Sequence, residues 1–392
     1  MSSRLLSRRF VRVTLANFFF FLNFASFFLL PLHIKALGGS EAMVGAVMGC
    51  SGLAALLVLP IIGVAIDRFG RRRFLIGGAT SMTLAAVGYA FVDHVGPALF
   101  GLRLLQGLSF AAAFTGATTL AAEIAPRDRR AQALGVFGLS TILTHAIAPG
   151  LGEEIIQRGG FHALFLTAAA CSAVSVLLAS GLPAGRVAHV GPVEDHTRWR
   201  VSRLQWVLIA TMTLAGMGFG TVMTFIPTFV HGEGLGRVGF FFGAYTSAAI
   251  LTRVVGAGLS DSLGRRTVIL PTLIALSASI LALAFVHGLL ALVCTGFLFG
   301  SAQGVSYPTL HAFVVDLTAD AHLGRVQALF NGAFNLGVTS SAFIFGMVVE
   351  HAGHRAAFEC AALTPVLAWL LLYRFGRPRS GNVAAHPLAA VR

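Results

Sequence analysis

Charge disappears from this chain for long stretches and returns between them. Between Arg12 and Lys35 lie 22 uncharged residues, between Glu41 and Asp67 lie 25, and between Arg73 and Asp93 lie 19. Further intervals run from Arg130 to Glu153, Arg158 to Arg186, Arg203 to Glu233 and Arg325 to Glu350. Each holds one apolar span of the ~20 residues that cross a bilayer as a helix. The longest, from Arg266 to Asp316, has 49 uncharged residues, room for two spans with a hairpin near His287-Gly288. Three more segments contain or border a charge: 95–121 around Arg103, 238–259 around Arg253, and 356–373 with Glu359 near its start. Backbone groups inside a bilayer must bond internally, and the alternation of membrane barrel strands is missing. The pattern predicts an all-α polytopic membrane protein with twelve transmembrane helices.

Composition narrows this further. Of 392 residues, 56% are hydrophobic and 11% charged, against roughly 25% charged in soluble domains. A soluble multidomain enzyme and a disordered chain are both excluded. A net charge of +13 would suit nucleic acid, but its placement assigns it elsewhere. With the N-terminus inside, cytoplasmic segments hold 22 of the 28 basic residues, outer loops hold Lys35, Arg158, Arg237 and Arg355, and two are intramembrane. That bias predicts both termini on the cytoplasmic side of a bacterial inner membrane. The N-terminal arginines and Phe-rich run resemble a signal peptide, but the apolar region is too long and no small-residue cleavage site precedes Pro31, so it reads as an uncleaved first helix. Cys50, Cys171, Cys294 and Cys360 lack paired spacing and read as packing residues.

The chain repeats itself. After the second span stands Gly63-Val-Ala-Ile-Asp67-Arg68-Phe-Gly70-Arg71-Arg72, and after the eighth Ala257-Gly258-Leu-Ser-Asp261-Ser-Leu-Gly264-Arg265-Arg266. Arg130-Ala-Gln132-Ala-Leu134 is echoed by Arg325-Val-Gln327-Ala-Leu329. Two parallel six-helix units follow: 1–183 and 204–374, joined by a polar cytoplasmic linker at 184–203 and followed by a tail at 375–392. In the repeated loop, Gly70 and Gly264 permit a tight turn, and the arginines hold the loop inside. Asp67 and Asp261 can face a helix N-terminus or pair with an arginine. Such a contact, made in one conformation and broken in another, is a latch. Glu123 and Asp316 precede the corresponding later loops, which begin at Arg130 and Arg325, and can pair with loop arginines.

At these residues the chain resembles the major facilitator superfamily of secondary transporters, in particular its drug and metabolite efflux branch. The family's loop signature is carried by Gly63, Asp67, Arg68, Gly70, Arg71 and Arg72, and its second copy by Asp261, Gly264, Arg265 and Arg266, with Ser262 replacing the first arginine. The fourth-span signature is Arg103-Leu-Leu-Gln106-Gly107. His145-Ala-Ile-Ala148-Pro149-Gly150-Leu-Gly152-Glu153 partly matches an exporter motif, with Ala148 and Glu153 at two usual glycines. Pro149, Gly150 and Gly152 suit a gating bend near the outer face.

The resemblance implies two pseudo-symmetric bundles around one cavity lined by spans 1, 4, 7 and 10. Polar residues inside a bilayer are costly and mark candidate sites. On the lining spans these are Asn17, Asn23, Arg103, Gln106, Thr221, Thr224, Gln303, Tyr307 and His311, with His145, Tyr245, Asn331 and Asn335 from spans 5, 8 and 11. Arg103 is expected to face a water-filled cavity or an anion; Arg253 is expected to snorkel or pair. The set suggests a polar, weakly positive cavity suited to hydroxyl or carboxylate groups rather than to a lipophilic cation. No carboxylate lies mid-membrane in the first span, so proton coupling, implied by the family, falls to Glu153, His145 or His311.

The chain carries no P-loop, zinc helix or nucleophile elbow, so no catalytic residues, cofactor or metal are expected. Glu350-His351-x-x-His354 reads as interfacial residues rather than a metal grip. The expected protein is a monomeric, non-enzymatic transporter in a lipid bilayer, without nucleic-acid partners. It exports a small polar or amphipathic molecule against protons by alternating access. Proton symport of a sugar or organic acid is the alternative, and a membrane-embedded enzyme or lipid-handling protein a remote one.

Overall fold

The computed structural model describes residues 7–126, 129–183, 201–256, 258–318 and 322–376. Most of the expected linker (184–200) and tail (377–392) lies outside the described residues. All regular structure among the described residues is helical. Ser7 caps α1, its hydroxyl accepting from the Phe10 N–H at 3.2 Å. α1 runs Arg8–Ser26, tightens through Phe27–Leu29 and continues as Leu30–Ala36. α2 is Glu41–Phe69 and α3 Arg71–Tyr89, separated only by Gly70 at φ 93°. α4 is Pro97–Ile124.

The helical run Arg130–Ser180 leaves helical geometry at Gly160 (φ 70°) and there reverses. Asn17 of α1 bonds to Ser140 and Thr141 before this glycine, while Ser175 beyond it donates to the neighbouring Ala16 carbonyl. The arms are α5 (130–159) and α6 (161–180). The second half repeats the plan. α7 (Arg203–Gly232) starts with a reciprocal Ser202–Gln205 capping box. α8 is Val238–Val255, α9 Arg265–Leu283 and α10 Leu289–Asp316. Leu323–Phe375 turns at Gly353 (φ 84°) into α11 (323–352) and α12 (354–375).

Eight of these helical runs are long and apolar enough to cross a membrane. Two of the eight are the double runs; the shorter apolar α8 and the α3 helix, which opens on three arginines, bring the spans to the expected twelve. Outward-facing Leu57, Leu177 and Leu290 are 69, 68 and 77% exposed, an apolar surface that suits hydrocarbon.

Within each half the helices pack mainly through α1–α5, α1–α6, α2–α4 and α3–α4, and through α7–α11, α7–α12, α8–α10, α9–α10 and α9–α12. The halves meet through α2 on α11 and α5 on α8. One face of α2 runs along that junction. Gly45 abuts the Ala342 carbonyl and Gly346, Gly49 the Phe343 ring, and Gly52 Thr339. Further along, a Cβ on Gly332 would stand 3.7 Å from Leu56, whereas one on Gly63 would meet open space. Small residues let backbones approach where no water drives helices together. The halves thus close at the end opposite the termini and diverge toward the end that carries them, leaving a wedge.

Candidate functional site: two loop clusters, two clasps and an aromatic wall

At the terminal end, each repeated loop organises one arginine between two acids. Arg71 is buried, its Nε 2.8 Å from Glu123 and an NH2 3.4 Å from Asp67. Arg265 donates to Asp316 at 2.9 Å and to the Ser260 hydroxyl at 2.6 Å, and pairs with Asp261. Gly70 and Gly264 take nearly the same backbone geometry (φ 93° and 86°, ψ 138° and 140°), which points the following arginine back at the acids. Gly63 stands exposed, Arg68 lies over the Phe69 ring at 5.4 Å, and Arg266 donates to the Tyr373 carbonyl at 2.8 Å. Arg72 is half-buried beside Arg71. Arg130 and Arg325 are exposed at the starts of α5 and α11 and form no ion pair among the described residues. Asp67 lies on the α2 face that looks across the wedge, 47% exposed and, among the described residues, paired with Arg71 of its own half.

At the opposite end, carboxylates clasp the halves together. Glu153 on α5 accepts from the backbone N–H groups of Val238 and Gly239, at 2.8 and 2.7 Å. Glu350 on α11 accepts from Glu41 and Ala42, at 2.7 and 3.3 Å. Each caps the first turn of a helix in the other half, where unpaired N–H groups and the helix dipole favour an anion. The two clasps are related by the internal repeat, with donor and acceptor exchanged between the halves. Around them, Arg237 donates to Glu154 (3.0 Å) and Gln157 (3.1 Å). The Thr228 hydroxyl lies 3.2 Å from Glu41 Oε2 and 2.8 Å from His354 Nε2. Glu350, His351 and His354 diverge to different partners, His351 bonding the Met347 carbonyl at 2.8 Å. Gly150 backs onto Gly239, and Gly152 fits against Leu29 and Leu164. Pro149 sits inside the helical arm that ends at Gly160, where the chain reverses.

Several expected cavity residues are packing residues. Asn17 joins α1 to α5 through Ser140 (3.2 Å) and Thr141 (2.8 Å). Asn23 joins α1 to α6 through the Ala168 carbonyl (2.7 Å) and Ser172 (3.0 Å). Both are fully buried between helices of one half, so neither lines the wedge. Thr221 is likewise buried, its hydroxyl on the Met217 carbonyl at 2.9 Å, and Thr224 is buried on the same helix.

Arg103 also departs from expectation. It is 5% exposed, donating to Gln106 Oε1 at 2.9 Å and lying 3.3 Å from Met48 Sδ. Tyr89 and Cys50 are the titratable groups within its electrostatic reach. Spacing had set its depth, but the helix rotates it into the seam with α2 and α3. Arg253, expected to snorkel or pair, makes no ion pair among the described residues, and its Nε is buried without a hydrogen bond. Its electrostatic neighbours are the Tyr245 and Tyr307 phenols and His145. Arg103 Nε is likewise buried without a hydrogen bond; what sets Arg253 apart is a titratable neighbour in the other half, His145.

Rings connect that junction. Phe110 stacks on Phe24 at 4.9 Å, Phe24 meets Phe28 at 6.1 Å, and Phe28 reaches His145 at 5.1 Å and Phe242, in the other half, at 5.3 Å. His145 lies parallel to Tyr245 at 6.5 Å; Tyr245 meets Phe219 at 6.3 Å, Phe219 meets Phe334 at 5.5 Å, and Phe334 meets Tyr307 at 5.0 Å. The Tyr307 hydroxyl donates to Asn331 Oδ1 at 3.2 Å, and Asn335 Nδ2 to the Asn331 carbonyl at 3.0 Å. Gln303 is buried with its Oε1 unbonded, and His311 faces Phe330 edge-on at 5.6 Å. The surface is chiefly aromatic with a few polar tips, in place of the polar cavity expected. Polar residues mark candidate sites because they are costly in a membrane, whereas a phenylalanine at the junction looks the same in sequence as one that faces lipid.

Residues 13–243 and 234–390 match the Major Facilitator Superfamily, and the chain belongs to it. It is a multi-pass membrane transporter of small molecules, not an enzyme. It is 26% identical over 350 residues to the multi-drug resistance efflux pump PmrA homolog of Lactococcus lactis subsp. lactis, covering 85% of this chain and 86% of that protein. It is 25% identical to the multi-drug resistance efflux pump PmrA of Streptococcus pneumoniae, covering 85 and 87%. Among solved structures, the nucleoside transporter NupG superposes with a TM-score of 0.78 at 16% identity, covering 95 and 100% of the two chains. The xylose transporter XylE from E. coli, in an inward open conformation, superposes at 0.79 and 14% identity, covering 95 and 97%. At such identities these two structures speak for the fold alone.

Proposed function

We propose that the protein exports small amphipathic molecules across a bacterial inner membrane in exchange for protons, acting as a monomer. Its termini are cytoplasmic, and its halves rock about the α2–α11 and α5–α8 contacts. The observation that carries this reading is the wedge. It opens at the arginine-rich end, where a cytoplasmic ligand would enter, and is closed by two carboxylate clasps at the other. Asp67 and Asp261, with Arg71, Arg265, Glu123 and Asp316, act as latches that engage when the wedge shuts. Arg130 and Arg325, now exposed, face the incoming half then. The efflux pumps among its relatives support the direction, and the aromatic wall suits their kind of cargo. His145, on the wall between the halves, is the candidate proton carrier best placed to sense a ligand; Glu153 is occupied in a clasp and His311 lies nearer the terminal end.

The test uses everted vesicles containing the protein and acidified inside by respiration. Adding an exported substrate should release protons and dissipate the acid gradient, and the signal should vanish without the protein. Substrate-driven proton flow in the opposite sense would identify symport and overturn the antiport reading.

A further inference from the structure

Helices α8 and α10 are held in parallel register by glycines on α10. Gly296 packs on the Phe241 backbone, Gly300 on the Tyr245 backbone, and Gly304 on Ala249 and Thr252. Three residues beyond Gly304, Tyr307 therefore stands level with Arg253. A helical side chain leans toward its helix N-terminus, so the Arg253 stem runs back toward Tyr245 on its own helix. Its guanidinium has both phenols within electrostatic reach, and His145 approaches from the other half.

Around this point polar capacity is left over. Arg253 Nε and His145 Nδ1 are buried and lack hydrogen-bond partners, as does Gln303 Oε1. An unpaired guanidinium within membrane depth is costly, and such residues generally face a partner, a cavity or a pathway. Of the unbonded atoms, Arg253 Nε is a donor and Gln303 Oε1 an acceptor, and no carboxylate pairs with Arg253 among the described residues, so a cationic ligand would meet a like charge. An anionic group would complete the cluster, accepting from Arg253 and from a phenol. Flanking rings supply the rest of a pocket: Phe28 at 5.1 Å from His145, Phe219 at 6.3 Å from Tyr245, and Phe334 at 5.0 Å from Tyr307.

We infer that Arg253, with Tyr245, binds the anionic group of an amphipathic aromatic ligand whose ring lies on Phe28, Phe219 and Phe334. This assignment deepens the transporter reading above and rests on it. The cargo class is then aromatic organic anions, including zwitterions that present a carboxylate.

Equilibrium binding to the full-length protein in lipid nanodiscs at neutral pH tests it, using naphthalene-2-carboxylate, its neutral carboxamide and 2-naphthylmethylammonium. The wild type should bind the carboxylate at least about tenfold more tightly than the amide, and the ammonium most weakly. Arg253→Gln should abolish the preference by bringing carboxylate binding down to the level of the amide, and monodisperse elution in size-exclusion chromatography reports independently that the variant is folded. Arg253→Lys, which keeps the charge but not the planar fork, should retain part of it. Equal or tighter binding of the ammonium, a carboxylate preference that survives Arg253→Gln, or failure of the wild type to bind any of the three would each overturn the assignment. The vesicle measurement separates this from the transport reading: proton-coupled transport of other compounds with no carboxylate preference defeats the anion site alone.

Discussion

At the residue scale, Asp67 was legible from the repeated motif, and its geometry explains why. A carboxylate at the end of α2, half-exposed and 3.4 Å from Arg71, contributes little to stability, about 0–1 kcal/mol for exposed pairs. Asp67→Asn should therefore leave the protein folded and inserted, as read by size-exclusion of a fluorescent fusion. Transport in vesicles should fall by about tenfold, which corresponds to ~1.4 kcal/mol in the rate-limiting conformational step. Asp261→Asn, in the half whose first arginine is Ser262, should have the smaller effect. The arginines show the limit of such reading. Charge spacing gives the depth of a residue in the membrane but not its direction around the helix axis. Arg103 turns into the seam with α2, against Met48, and Arg253 toward Tyr245 and Tyr307, a difference that spacing alone does not give.

At the element scale, helix ends were readable and helix contacts were not. The charge-free intervals marked the spans because hydrocarbon excludes charge, and Gly70, Gly264 and Gly288 marked turns because each takes positive φ. The contacts depend on glycines within helices, which look alike in sequence whether they meet another backbone or lipid. Gly45 lies against α11 and Gly239 against α5, where an added Cβ would stand 2.7 Å from Gly150 Cα. Gly239→Val or Gly45→Val should force the clasped end apart. Spin labels at exposed Arg158 and His351 should then give a longer distance distribution than in the otherwise unmodified chain. An unchanged distribution would mean that these contacts do not hold the end closed.

At the scale of the whole molecule, the repeat was visible in the loops, while its most consequential expression lay elsewhere. Glu153 stood out in the sequence as a departure from an exporter motif and as a proton-coupling candidate, and Glu350 only as a neighbour of two histidines. Their common task appears when the halves are brought together, because each acts on the helix N-terminus of the opposite half. Replacing a clasp carboxylate with a neutral amide weakens two charge-assisted hydrogen bonds, and bonds to charged groups contribute about 1.5–3 kcal/mol each. Glu153→Gln or Glu350→Gln should shift the same spin-label distances toward opening, and the double variant further.

The exchanged arrangement of these clasps also has a numerical consequence. Neither carboxylate touches the other, yet both must release before the halves can part, and they answer pH in opposite senses. The Ala42 and Glu41 N–H groups hold Glu350 below the usual carboxylate range, so protonation favours its release, whereas burial raises Glu153 and protonation does not favour release there. The open fraction should therefore rise with no more than the first power of proton activity, at most about tenfold for each unit of pH, as pH falls through the carboxylate range in which the freed Glu350 takes a proton. With Glu350→Gln that dependence should disappear, whereas with Glu153→Gln it should persist. A titration of the spin-label distances across pH would thus read out how many protons the gate counts.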